Sequence, residues 1–481
     1  MYERFEERYR HFTRRPLVAV LPLFFAGLLC TMNPAFLLLI GPGFVLARRF
    51  LVLGAVVFTA GFLRLTLSPP VPAALPEVDT LITGRIVSTP NLSEKWQRAL
   101  VETDDRYLLV YTRPDRDLRA GDVIRFDGKV RTFKGESAAY WYRRGIRQSV
   151  TLPFDGAIEI LEPGVGLKSF GSAWRRDLLT RLETHLPHDV ASVAMGVVGG
   201  QQNIVPDWII NDMERAGTLH LLATSGFNVL LLAGALLFAA AHLPIPRWLQ
   251  VLLIIALLTV YADAVGGRPP VVRATVMAVV FFSAFFFRRT SDALSAVAFA
   301  AIVCVLAEPW TVLDAGFQLS FMVVFGLVLF APAAFRRIRG WVEKRTWPNP
   351  IRLLSIGVGS TISTTLIAMV FASPILSNRF GTFSIVAPLS NLITAAAVPF
   401  VYLGVALGSI GDLFSRSIAR GADLAVTGPF SAAIIRTNHS LAAWPGASVE
   451  GFFLPAWAIV CIYILLFALS RQHRPPEPDE L

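Results

Sequence analysis

The chain has 481 residues, 54% of them hydrophobic, and a formal net charge of +10. An apolar share that high, gathered into long runs, excludes a soluble globular protein and points to a polytopic α-helical membrane protein. The positive excess suggests either a nucleic-acid partner or cytoplasmic loops. Residues 75–165 favour the second, because they hold 14 Lys/Arg against 14 Asp/Glu and are neutral. The excess therefore lies at the ends of apolar runs, as the positive-inside rule requires.

Residues 1–16 carry Arg4, Arg8, Arg10, Arg14 and Arg15 and are expected to stay in the cytoplasm. The apolar run from Leu17 resembles a signal peptide but has no small-residue cleavage site, so it reads as an uncleaved anchor. Runs at 17–32, 35–47 and 50–67 give three short passes, making residues 1–74 an N-terminal membrane segment. A Pro-rich linker, 68–76, follows. Residues 75–165 then read as β-structure. In DVIRFDGKVR (122–131), Ile124, Phe126, Gly128 and Val130 share one face, while charged residues take the other. About five short strands in some 90 residues predict a small barrel of the OB type, inserted as an external all-β domain. Residues 166–217 read as interfacial. Phe170, Trp174, Leu178, Leu179 and Leu182 recur at helical spacing between basic residues, as in an amphipathic surface helix. Residues 191–200 are apolar but too short to span, and Pro206 opens a short helix.

From Thr218 the spans follow closely: 218–242, 247–265, 270–287, 292–307, 312–331, 351–376, 383–411 and 452–470. They make residues 218–481 the transmembrane channel region, for about 11 spans in all. If residues 68–217 are external, Arg288-Arg289, the basic run 336–345 and Arg416/Arg420 all fall on the cytoplasmic side. The tail after Leu469 then lies outside, with a disordered composition.

The polar residues inside these spans are the candidates for function, because intramembrane polar groups need partners or a wet cavity. Residues 218–242 open with His220 and carry Ser225, Gly226 and Asn228 near one end. Arg273 lies about one turn inside the span 270–287; Arg268, just outside it, reads as snorkelling to the headgroups. Gln318 and Ser320 head the span 312–331, where interhelical hydrogen bonding is the plainer role. Asn391 lies between Pro388 and Pro399, which suggest an interrupted helix. A Ser225–His220 catalytic pair is not expected, since five positions on one helix put the two about 140° apart.

His220-Leu221-Leu222-Ala223-Thr224-Ser225-Gly226-Phe227-Asn228-Val229 resembles the HLLAISGLHV signature of the ComEC competence-protein family, with Phe227-Asn228 where the family has Leu-His. GGRPPVVRA (266–274), DAGFQLSF (314–321) and PLSNL (388–392) resemble further family segments in family order, as does YWYRRGI (140–146) near the end of the β region. The resemblance implies a channel that passes single-stranded DNA across the bacterial cytoplasmic membrane during natural transformation. It implies that His220, Ser225, Gly226, Asn228, Arg273, Gln318 and Asn391 line the DNA path. Tyr107, Tyr111 and Phe126 are candidates for a stacking face on the barrel. The implied partners are single-stranded DNA, the lipid bilayer, and a separate DNA receptor, nuclease and cytoplasmic motor.

No cofactor or catalytic group is expected. Cys30, Cys304 and Cys461 lie in apolar stretches without metal-ligand spacing, and the seven His form no His-x-His-x-Asp-His cluster of the kind the family's metallo-β-lactamase-like domain carries. The chain therefore reads as a short form without that domain, neither nuclease nor ATPase. Two alternatives stay open on sequence alone: a transporter of another anionic substrate on this scaffold, and a non-catalytic membrane assembly protein.

Overall fold

The computed structural model describes residues 79–466, except 94, 105, 135–137, 139–140, 143–145, 153–156, 223–225, 284–292, 309–310, 313, 380, 452, 456–457, 459–461 and 464–465. The N-terminal anchor, its short passes and the C-terminal tail lie outside the described residues, as does Ser225. The chain divides into two compact units. One holds residues 70–275 with 384–448, and the other 276–383 with the two ends.

The first unit begins with seven strands: β1 (Asp79–Ile86), β2 (Asn91–Leu92), β3 (Gln97–Glu102), β4 (Tyr107–Thr112), β5 (Val123–Thr132), β6 (Ile146–Thr151) and β7 (Ile158–Glu162). Five of them run in the order β1-β3-β4-β6-β5, and β5 returns to pair with β1 along Asp79–Arg85. The β4–β6 pair is parallel, while β1–β3, β3–β4, β5–β6 and β1–β5 are antiparallel. Closure with one parallel pair is the Greek-key arrangement of an OB-type barrel. Five strands close it, in line with the number expected; β2 and β7 are additions at its edges. Alternation along β5 puts Ile124, Phe126 and Val130 inside with Ile82, Val101, Leu108, Val110 and Val150. Gly128 shares that inward face, where an added Cβ would stand 2.6 Å from Val150 Cγ1.

Six longer helices complete this unit. They are α1 (Leu167–His185), α2 (His188–Gly199), α3 (Asp207–Arg215), α4 (Gly226–Ala241), α5 (Arg247–Ala264) and, later in the chain, α10 (Ala387–Asp412). With them stand 3₁₀ turns at Gln202–Ile204 and Leu219–Leu221, the short helix α11 (Arg416–Ala422), a π-helical turn at Asp423–Thr427, and a further 15-residue helix, α12 (Gly428–Ala442). Helix α2 is apolar all round because it is surrounded. Leu178 and Leu182 of α1, Ile209 and Met213 of α3, Val398, Val401 and Val405 of α10 and Ile434 of α12 all pack on it. That explains a ten-residue apolar run too short to span.

Helix α1 is amphipathic, as expected, but its apolar side packs into the protein: Leu178, Leu182 and even Arg175 are buried, while Phe170, Asp177 and Thr180 on the other side stay exposed. The expected span 218–242 is broken. His220 sits on a 3₁₀ turn, Leu219–Leu221, while the described helix runs Gly226–Ala241. Residues 416–442, between the expected spans 383–411 and 452–470, are helical, and His439 lies on α12.

The second unit holds α7 (Ala293–Ala307), α8 (Ala315–Glu343) and α9 (Asn349–Arg379). Helices α8 and α9 form a long hairpin in which Gly326 lets the Phe371 ring approach the α8 backbone. Pro332 and Pro374 lie inside these helices, as spans tolerate. Helix α6 (Pro269–Ser283) runs from one unit into the other.

Four described helices, α5, α8, α9 and α10, are long and apolar enough to cross a bilayer; α4, α6 and α7 are shorter and apolar. Their outer faces carry Leu230, Phe238, Leu353, Leu354, Leu407 and Ile410, all exposed. Large apolar side chains exposed in such numbers need a lipid surround.

Candidate functional site

The predicted path residues do not fall on one open surface. Gln318 belongs to the second unit, where its Nε2 donates to the Val312 carbonyl at 3.1 Å, which ties the head of α8 to the preceding turn. The others lie in the first unit. His220 is exposed on its 3₁₀ turn and Gly226 is half-buried, while Asn228, Arg273 and Asn391 are covered. Arg273 keeps only 4% of its surface accessible, so it is packed within the protein and does not stand open to a passing strand.

The polar residues near the expected signature instead form two buried networks. Helix α2 ends at Gly200 in the left-handed conformation, φ 69°. Its last carbonyls are thereby left without helical donors. Three neighbouring helices supply them. Asn228 Nδ2 of α4 donates to Val197 O at 3.1 Å, Tyr402 OH of α10 to the same oxygen at 3.1 Å, and Tyr261 OH of α5 to Val198 O at 3.1 Å. The two phenols are themselves 2.8 Å apart. This knot ties α4, α5 and α10 to the end of α2.

The second network starts one turn before His220. Gly217, at φ 74°, lets the chain turn against α10; an added Cβ would lie 2.6 Å from Ala387 Cβ. Thr218 Oγ1 then donates to Asn438 Oδ1 at 2.7 Å, and Ser390 Oγ donates to the same oxygen at 2.8 Å. Asn438 Nδ2 donates to Ile434 O, and Thr394 Oγ1 to Ser390 O. Thr218, Ser390, Thr394 and Asn438 are all fully buried. This chain of hydrogen bonds fixes the signature turn between α10 and α12.

A third cluster is ionic. Asp423 is fully buried in the π-helical turn. Its Oδ2 stands 3.3 Å from Arg181 Nε and 2.8 Å from His185 Nδ1, and its Oδ1 accepts from Thr427 Oγ1 at 3.2 Å. Arg181 also donates to Ser409 Oγ and Val405 O. Glycines on α10 admit the cluster: a Cβ on Gly408 would meet Asp423 Oδ1 at 2.9 Å.

On the barrel, Phe126 is corrected: it is 1% exposed, inside the core, and presents no ring to a partner. Tyr107 is exposed, but its OH donates to Glu102 Oε1 at 2.9 Å, and that bond with the carboxylate raises the phenol's pKa. Tyr111 is half-buried with its ring edge-on to Trp96, centroids 5.2 Å apart. Among the described residues no three His, Cys, Asp or Glu side chains are grouped to hold a metal.

Tyr261, Tyr402, Thr218, Asn438, Arg181 and Asp423 were not singled out from sequence. Each is an isolated polar residue with a partner 48 or more positions away, and no local spacing marks such a pair.

With the geometry described, similarity decides the family. The family model described as "Competence protein" matches residues 197–475. The chain belongs to the competence protein family. That match begins at Val197, whose carbonyl takes two of the donors above, and it covers both hydrogen-bonded networks that hold the signature turn. The chain is also similar to ComE operon protein 3 of Bacillus subtilis, 25% identical over 362 residues, 73% of this chain and 44% of that protein. It is similar to the uncharacterized protein YcaI of Escherichia coli, 26% identical over 262 residues, 52% of this chain and 32% of that one. The chain thus spans less than half the length of the curated relatives it matches. No solved structure matches it. Membership of this family agrees with the apolar helices: this is a membrane protein carrying an OB-type barrel.

Proposed function

We propose that the protein takes part in DNA uptake and forms the membrane passage through which single-stranded DNA reaches the cytoplasm. The observation that carries the reading is the match to the competence protein family across residues 197–475, with an OB-type barrel immediately before it. OB barrels are frequent binders of single strands. Here the neutral charge of residues 75–165 gives the barrel a guiding rather than a gripping role, since phosphate affinity scales with Lys and Arg contacts.

In this reading the N-terminus is cytoplasmic and the barrel and C-terminus are external, in accord with the basic loops. The chain supplies the passage only, with no hydrolytic step; a DNA receptor, a nuclease and a cytoplasmic motor are separate proteins. The signature turn at Thr218–His220 is held from behind by Asn438 and Ser390. An in-frame deletion should abolish transformation by linear DNA, and the wild-type gene in trans should restore it. Transformation at the wild-type frequency in the deletion strain rejects the reading.

A further inference from the structure

Helix α1 is hydrogen-bonded to the barrel's loops at Val87, Pro90, Arg116 and Ala120, and a cavity of about 220 Å³, counting its open mouth, remains there. Thr89, Gln97, Leu118, Ser172, Arg175 and Gln201 line it. Its enclosed part is small, with room for a single oxygen-sized atom. Two features of its wall are unusual. Gln97 is fully buried, and neither its Oε1 nor its Nε2 has a hydrogen-bond partner. Arg175 is 3% exposed; its Nη1 and Nη2 donate to Val265 O at 3.3 Å and Pro90 O at 3.2 Å, but its Nε is unpartnered.

Nor has Arg175 an acidic neighbour within ion-pair distance among the described residues; its nearest charged influence is another cation, Arg268. Arg268 follows the glycine pair Gly266-Gly267, and its Nη2 donates to Asn91 Oδ1 at 3.2 Å. Burial, then Arg268, lowers the Arg175 guanidinium to about 9; burial, then Arg98, lowers Arg268 to about 10. Both remain charged at neutral pH. The other cations nearby are satisfied: Arg176 pairs with Asp117 at 3.1 Å, and Arg98 lies over the Trp141 ring. Ser172 is also satisfied, by Lys168 O and Ala120 N. What is left over is one buried positive charge, Arg175, with the half-buried Arg268 beside it, and an amide with a free donor. Such charge in a covered site is costly unless an anion completes it.

We propose that this cavity is an oxyanion site that takes a phosphate group, one oxygen seated between Gln97 Nε2 and Arg175 Nε and the remainder at the mouth toward Arg268. Bonds between guanidinium and phosphate are charge-assisted and among the stronger hydrogen bonds available here. The phosphate can come from free inorganic phosphate, from a nucleic-acid backbone or from a lipid headgroup. The site does not depend on the DNA-passage reading.

The test uses the full chain in a phosphate-free maltoside detergent, with calorimetric titration of inorganic phosphate, a short single-stranded oligonucleotide, and phosphatidic acid in mixed micelles. At least one should bind, and which one names the source. Gln97→Glu puts a carboxylate into the cavity. It should weaken that binding by about tenfold or more while raising the melting temperature, as a built-in counter-ion would. Arg268→Gln, at a less covered position, should weaken binding without needing the buried Arg175 to be changed. If none of the three ligands binds, or if both variants bind as wild type does, the cavity holds a solvent molecule only and the proposal is overturned.

Discussion

Asn438 shows how a single amide holds the signature turn. Its Oδ1 accepts from Thr218 and Ser390, which come from segments 220 and 48 positions away. Asn438→Ala would leave both buried hydroxyls without an acceptor. An unsatisfied buried polar group costs about 1–3 kcal/mol, so thermal unfolding in detergent should show a clear drop in melting temperature. An unchanged melting temperature would mean that water replaces the amide. Arg273 makes a different case. Its charge is almost wholly covered, so its first role is structural. Arg273→Ala should lower the amount of folded protein in the membrane, with transformation per inserted molecule falling by less. A well-expressed Arg273→Ala protein that transforms poorly would instead return Arg273 to the DNA path.

At the scale of elements, the small face of α10 decides how closely the π-helical turn can approach. A Cβ at Gly404 would meet Thr427 Oγ1 at 2.5 Å and Thr427 N at 2.6 Å, and one at Gly408 would meet Asp423 and Arg181. Gly404→Ala must push the turn away and strain the Asp423 cluster. Overpacking of this kind costs roughly 1–3 kcal/mol, again measured by thermal unfolding. Gly421→Ala on α11 is the control, since nothing lies within 4 Å of its added Cβ; it should be neutral or slightly stabilising. Equal losses from both changes would show that close packing on α10 is not the cause.

Legibility in the sequence followed the same divide. The barrel could be read because β5 alternates strictly, charged side out and apolar side in, along Val123–Thr132. The long apolar helices could be read because length alone marks them. Helix α12, GPFSAAIIRTNHSLA, could not: its Ser431 and Asn438 are buried, and polar residues at buried positions make a helix look like a loop. The span opening at Thr218 was overextended for the opposite reason. Leu219, Leu221 and Leu222 are apolar because they pack into the core around α2, not because they continue α4. Of the path residues, Asn228 was singled out correctly as a polar group needing a partner, but that partner is a helix-end carbonyl.

For the whole molecule, the proposed topology puts the barrel on the outer side, in keeping with the positive-inside rule. A reporter inserted after Glu162, at the end of β7, should give an external signal; a cytoplasmic signal would invert the topology and put the barrel beyond reach of incoming DNA. The central claim is that the chain forms the passage itself. Cells should be fed end-labelled duplex DNA, and the label followed in two fractions, nuclease-accessible outside the membrane and nuclease-protected within. In the deletion strain label should still bind and accumulate outside, with no protected single strand inside, and the complemented strain should recover it. Protected single strand appearing in the deletion strain at the wild-type level would contradict the account.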